Sequence, residues 1–410
     1  MRRSPLLFIA LAAVCASATL VVPVPSERAI AETLLPDDPA LTASAISPAG
    51  PANQPSRYAG VTTTELEDLS VLASSLSIGL EEAVQRFAGV TQFNTAVNSL
   101  PATAVVHAEW QQGSGSLHVR PGQAGAARDA LEAAGADASV SAVDLPNVVE
   151  QEELQQAVIE RLQRDAFVPV STHFDVLAST PTIYAQLPLS ERGSSWNARG
   201  VQSDAADAAS ELGVAVEVTY AEEPVGELAA SGGMPHADCT GGLIMRSTSV
   251  TGTYGIMTAH HCTTVPSSYD GAAIGGTSIS TNRDIRINRF TSGTAVNQIR
   301  NNWGTYRTIT YSGNPANGSP VCKFGVKTGQ SCSTVASSGN CSSFFPGYTF
   351  CALHRTATRY VEKGDSGGPW YYGNTGWGIT SGTNKLAGYD FFTGAGAANF
   401  NYLSYAVKWN

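Results

Sequence analysis

Hydrophobic positions follow three different rules along this chain. From Leu6 to Val22 they run almost unbroken behind Arg2 and Arg3, the pattern of an export signal. Ala16–Ala18 and Ala29–Ala31 are small-x-small cleavage sites. The second is preferred, because Val21 and Val22 then leave with the peptide, so residues 1–31 are assigned to the signal. Val14 before Cys15 is too bulky for lipoprotein processing. No later apolar run approaches ~20 residues, so nothing is expected to cross a membrane once the signal is removed. Five prolines between Pro36 and Pro55 mark a flexible lead-in. Helical spacing follows. Thr63 or Thr64 caps a helix through Leu66, Leu69 and Leu72, and Ser77–Phe87 restarts one with Leu80, Val84 and Phe87 on one face.

A weak internal repeat appears next, at an offset of 78 residues. Thr103–Trp110 and Pro181–Pro188 read as strands. Ala126–Gly135 and Asp204–Gly213 read as Ala-rich helices ended by Gly, and Ala138–Val143 and Val216–Tyr220 as strands again. Two α/β subdomains are therefore expected before residue 230. After it the periodicity shortens. Gly242–Met245, Tyr254–Thr258, Asp284–Phe290, Thr308–Tyr311 and Gly376–Thr380 are short β-branched or aromatic runs between turn residues, which predicts an all-β barrel or sandwich.

Charge divides the chain at the same place. Residues 4–233 carry 9 Arg against 28 Asp and Glu, a net −19, and no Lys. Residues 234–410 carry 13 basic and 6 acidic groups, a net +7, and six of the seven cysteines. Two units of opposite sign favour mutual docking. The overall −10 argues against a nucleic-acid partner. Cys239, Cys262, Cys322, Cys332, Cys341 and Cys351 in an exported chain imply three disulfides, with fifteen connectivities open.

Three segments of the basic half carry chemistry: Thr258-Ala-His-His-Cys262, Asn282-Arg-Asp-Ile-Arg-Ile287 and Gly364-Asp-Ser-Gly-Gly-Pro369. They supply an imidazole base, a carboxylate to fix its tautomer, and a serine in a Gly-rich turn. The Gly364 and Ser366 N–H groups of that turn are able to converge as an oxyanion hole. The acidic half shows no comparable set.

These motifs, in the order His, Asp, Ser, resemble the chymotrypsin-like (trypsin-fold) serine proteases. The spacing is similar to that of the compact secreted bacterial branch of streptogrisins and alpha-lytic protease. The resemblance covers roughly residues 231–410 and implies a double β-barrel preceded by an α/β pro-region over 32–230. It implies a secreted serine endopeptidase with catalytic His261, Asp284 and Ser366, acting on protein or peptide substrates as a monomer without cofactor or metal. His260 has no catalytic role in this reading, and Asp270 is the rival carboxylate. Asp365 shapes the serine loop, paired with Lys323. The disulfides implied are Cys239–Cys262, Cys322–Cys332 and, as the remaining pair, Cys341–Cys351. Tyr360 falls at the base of the specificity pocket and Asp390 near its back wall. Ser381-Gly382-Thr383 falls on the substrate-pairing strand, and Thr380 before it disfavours glutamate preference. The acidic half is expected to assist folding of the protease and to inhibit it until cleavage around Ala229–Gly233, with Glu222–Ala230 along the cleft. Two other readings use the same residues: a catalytically silent binding homologue, and an esterase.

Overall fold

Thr62, one residue earlier than the sequence indicates, opens the first helix, α1 (Thr63–Leu76). Its hydroxyl accepts from the Glu65 N–H, and the Glu65 carboxylate accepts in return from the Thr62 N–H at 2.7 Å, closing a capping box. Ser77 ends α1 in the left-handed conformation, and α2 (Leu80–Phe87) and α3 (Val90–Ser99) follow. The computed structural model describes residues 56–163, 169–188, 200–221 and 233–407, except 238, 294, 346, 386, 397, 398, 401, 402 and 404. The export signal, the proline-rich lead-in as far as residue 55, and residues 222–232 with most of the expected cleavage stretch lie outside these. Among the described residues no helix is long and apolar enough to cross a membrane.

The repeat is present as two α-β-β-α-β units. The first runs α3, β1 (Val105–Gln111), β2 (Ser114–Val119), α4 (Ala124–Ala134), β3 (Ala138–Ala142). The second runs α5 (Val148–Leu162), β4 (Ser171–Asp175), β5 (Thr182–Pro188), α6 (Gly200–Leu212), β6 (Ala215–Ala221). In each, the first two strands pair antiparallel and the last joins the middle strand in parallel. The match of 103–110 with 181–188 is therefore displaced: β1 corresponds to β4, and β5 to β2. The cause is the connection. β1 and β2 turn over Gln112 and Gly113 alone, both at positive φ, whereas six residues separate β4 from β5.

The basic half forms two β-layers, the first and second barrels of the expected double-barrel fold. Ser268–Tyr269, Ala272–Ile279, Arg286–Phe290, Tyr254–Thr258, Ile244–Ser247 and Tyr405–Val407 are hydrogen-bonded in that order, so the last described strand returns to the first layer. The second layer runs Pro320–Gly325, Pro369–Tyr372, Thr375–Asn384, Tyr389–Gly394, Tyr348–Thr356, Gly329–Phe345. Pro320–Gly325 also pairs with Gly329–Phe345, which closes a six-stranded barrel. The expected run Thr308–Tyr311 falls between two strands, Thr305–Thr308 and Tyr311–Ser312.

The acidic α/β part is continuous with this barrel. β4 pairs antiparallel with the long strand Gly329–Phe345 through Thr172 opposite Cys341 and Ser171 opposite Ser342, so β4, β5 and β6 extend the barrel sheet. One apolar core runs from Leu69, Phe93 and Trp110 to Val321, Trp370 and Trp377. A second gathers Val158, Ile159 and Ile183 around Cys341 and Cys351.

Charge complementarity is realised at specific points. Asp68 on α1 has no exposed surface; its Oδ2 accepts from Arg307 at 2.5 Å and from the Gly373 N–H at 2.8 Å. Glu67 takes the other arm of Arg307 at 2.8 Å, and Glu152 on α5 pairs with Arg283 at 2.6 Å. Burial pushes the Asp68 carboxyl up to about 6 against the pull of Arg307. Removing one partner of a buried pair strands the other charge. Asp68→Ala in the full chain is therefore expected to lower unfolding free energy by about 3–5 kcal/mol. Glu82→Ala, which breaks the exposed Glu82–Arg86 pair, is expected to stay within about 0.5 kcal/mol. Denaturant unfolding of both variants decides it; equal shifts would show that the buried pair contributes no more than the surface one.

Candidate active site

Two adjacent strand ends bring His261 and Asp284 together. Tyr254–Thr258 and Arg286–Phe290 pair antiparallel with Thr258 opposite Arg286, so the residues just after the first strand meet those just before the second. The turn that carries Asp284 is built on Ser280, whose hydroxyl accepts from the Asn282 and Arg283 N–H groups at 3.3 and 2.8 Å. Asp284 is fully buried. It accepts from the backbone N–H of His261 at 3.2 Å, and from His261 Nδ1 at 3.1 Å through Oδ1 and 3.0 Å through Oδ2. With the Nδ1 proton held by the carboxylate, Nε2 is the basic nitrogen of the neutral ring. Asp270 instead lies exposed in a turn at φ 44°.

Ser366 is buried, in the loop before the strand Pro369–Tyr372. Its carbonyl accepts from the Thr240 N–H at 2.7 Å, and the Gly367 N–H donates to the Thr380 carbonyl at 2.7 Å. Gly367 sits at φ 81°, where a Cβ would stand 2.3 Å from the Thr240 carbonyl oxygen and 2.5 Å from Thr258 Oγ1. Only glycine lets the serine loop press this closely on the segment that leads into His261. The Cys239–Cys262 disulfide ties that segment from its other end. Cys322–Cys332 and Cys341–Cys351 are the other two disulfides. Cys239, His261 and Cys262 cluster closely, but both sulfurs are in the disulfide, so no thiolate is available for a metal.

Asp365 is fixed from below. Its Oδ2 lies 3.3 Å from Lys323 Nζ, with both side chains fully buried, and also accepts from the Thr328 hydroxyl and the Glu362 N–H. Its Oδ1 accepts from the Lys327 N–H at 3.2 Å. Burial pushes the Lys323 ammonium below its ordinary value, and Asp365 counters this. Thr328 was not legible in advance, since a threonine in a hairpin turn carries no signal of a buried partner. Gly364, at φ 119°, reverses the chain immediately before Asp365.

Four of the five expected pocket residues share one sheet, and Tyr360 lies in the coil that follows the strand Tyr348–Thr356. Ser381, Gly382 and Thr383 lie on Thr375–Asn384, paired with Tyr389–Gly394. Ser381 Oγ meets Thr393 Oγ1 at 2.7 Å, and Thr383 Oγ1 donates to the Tyr389 carbonyl. Asp390 is buried within a strand. Its Oδ2 accepts from the Tyr360 N–H at 2.6 Å and the Val361 N–H at 3.1 Å, so it holds the backbone on which Tyr360 stands. Gln186 of β5 accepts from Asn384 at 3.3 Å and from the Tyr389 hydroxyl at 3.1 Å, which brings the acidic half to the tip of this same hairpin.

No family model matches the chain, and no curated protein does. Among solved structures it is similar to Thermobifida fusca Protease A (30% identity, 92% of that chain and 42% of this one, TM-score 0.36). It is also similar to Nocardiopsis Protease (29%, 98% and 45%, TM-score 0.35) and to Cellulomonas bogoriensis chymotrypsin (26%, 98% and 45%, TM-score 0.35).

Burial pushes the Asp390 carboxyl up to about 6, against its backbone hydrogen bonds. A carboxyl with a raised folded pKa contributes stability below its unfolded value and loses it as pH rises through the folded one. Unfolding free energy is therefore expected to fall by about 3 kcal/mol between roughly pH 4 and 6 on this account, and Asp390→Asn to remove that part of the slope. Denaturation at pH 4, 5, 6 and 7 measures it; parallel curves for the two proteins would refute the assignment.

Proposed function

The chain belongs to the chymotrypsin-like serine proteases, and we propose that it is a secreted serine endopeptidase made as a zymogen, its acidic half being the pro-region. The observation that carries the catalytic reading is the His261–Asp284 contact, with the Ser366 loop packed on the same segment. In this reading Ser366 Oγ attacks the peptide carbonyl while His261 Nε2 takes its proton. His261 returns the proton to the leaving amine, and water then hydrolyses the acyl-enzyme by the same relay. Asp284 holds the ring and meets the charge of the imidazolium. The Gly364 and Ser366 N–H groups receive the oxyanion. Ser381, Gly382 and Thr383 pair with the substrate backbone, Tyr360 lines the pocket, and Asp390 contributes through the Tyr360–Val361 backbone. Metal and cofactor have no part in this mechanism, and protein or peptide is the substrate.

Three features support the pro-region assignment. β4 supplies a strand to the barrel edge, the buried Asp68–Arg307 pair crosses the junction, and Gln186 caps the hairpin that carries the substrate-pairing strand. A β-rich fold of distant pairings forms slowly, and a template strand on the Gly329–Phe345 edge lowers that barrier. Cleavage in residues 229–233 would release the enzyme outside the cell, an environment consistent with three disulfides. The working enzyme is proposed to be a monomer, without nucleic-acid or membrane partners.

Ser366→Ala, His261→Ala and Asp284→Asn are each expected to lower peptide turnover by roughly 10⁴-fold or more without additive losses in combination. A serine-directed phosphonate should label Ser366 in the wild type alone. Near-normal peptidase activity in Ser366→Ala would refute the mechanism. Ester hydrolysis without peptide cleavage would favour the esterase, and absence of labelling the silent homologue.

A further inference from the structure

The mechanism makes no use of His260, yet its ring is almost fully buried, 8% exposed, beside the Asp284 turn. Its Nδ1 donates to the Ser280 carbonyl at 2.7 Å, and Ser280 is the residue on which that turn is built. Its own carbonyl accepts from Arg286, just past Asp284, at 3.2 and 3.3 Å. Its ring meets Tyr348 edge-on at 4.6 Å and Phe350 at 5.3 Å. These two rings come from the second barrel and stack on each other at 5.9 Å. The N–H of Cys351, the next residue, donates to the Asn282 carbonyl at 2.9 Å. Residues 280–286 are thus gripped from two sides, by His260 within their own barrel and by the strand Tyr348–Thr356 of the other.

We propose that His260, clamped between Ser280 and the Tyr348–Phe350 pair of the other barrel, is a positioning residue that sets Asp284 against His261. The proposal rests on the reading of His261 and Asp284 as catalytic. Three physical points support it. A donor to Ser280 fixes the turn rather than the carboxylate, so it acts on where Asp284 stands. An aromatic contact between barrels is rigid at low entropic cost, and its edge-to-face geometry fixes direction as well as distance. Burial holds the imidazole below its ordinary pKa against Asp284 and the Ser280 carbonyl, with Arg286 and His261 adding to the burial effect, and the Ser280 carbonyl keeps a proton on Nδ1. Misplacement of a catalytic group by an ångström costs up to about 10²-fold, and partial loosening of the turn about tenfold.

The test uses enzyme secreted and processed from the full chain, with active sites counted by phosphonate titration. His260→Ala, which removes both contacts, is expected to lower kcat about tenfold at unchanged KM, and Tyr348→Ala, which removes only the ring contact, about threefold; each is expected to slow phosphonate labelling of Ser366 by a similar factor. His260→Asn places an amide N–H where Nδ1 stood, and is expected to recover activity to within about threefold of wild type. Tyr348→Phe keeps the ring and should recover likewise. Wild-type kcat and labelling in His260→Ala would overturn the proposal. So would a lowered melting temperature with unchanged turnover per titrated site, or His260→Asn no better than His260→Ala. Should His260 variants fail to mature, Tyr348→Ala and Tyr348→Phe carry the same comparison. Peptide cleavage by Ser366→Ala would instead strike the catalytic reading itself, so the two failures are separable.

Discussion

Asp284 has no exposed surface, and a buried carboxylate must be met by donors or by charge. Here the backbone N–H and Nδ1–H of His261 meet it together. Much of the first barrel follows from this requirement. The two strands must end side by side, the turn at Ser280 must present the carboxylate inward, and the Cys239–Cys262 bridge must keep the His261 segment from drifting. An imidazole held this way has one tautomer and one orientation, which is what the proposed role as a base requires of it.

The serine loop meets a parallel demand with different chemistry. Two glycines at positive φ allow it to fold back against Thr240 and Thr258, but glycines do not hold a loop once it is there. Asp365 does, with a lysine, a threonine hydroxyl and two backbone amides converging on it in a fully buried site. A buried ion pair supplies little net stability but costs much to break. It therefore serves a loop that needs one conformation more than it needs strength.

The acidic half and the barrel behave as one folded body because each leaves something incomplete. The long strand Gly329–Phe345 has an outer edge that β4 pairs with, and an unpaired edge invites association. Arg307 is almost fully buried and takes its countercharges from Asp68 and Glu67 of α1. Cys341 and Cys351 lie in the apolar core that α5, β5 and α6 build. Separation of the two halves would expose a strand edge, a cation and an apolar surface together.

Much of this was legible in the residues. Helices α1 and α2, the alternating strands, the change of charge at residue 233 and the three chemical segments follow from periodicity, composition and motif, because those depend on neighbours in the chain. Resemblance to a known family supplied the disulfide partners and the Asp365–Lys323 pair. Tertiary structure alone decided the rest. The repeat was readable as Ala-rich helices, but which strands correspond depended on turn length and pairing. Asp390 reads as a polar residue among aromatics, and only the fold buries it and aims it at the amides of Tyr360 and Val361. His260 and Tyr348 lie 88 positions apart in the sequence, and nothing local to either marks the contact. Local patterns determine which elements form. Which buried groups must satisfy one another is settled only when distant segments are packed together and water is excluded.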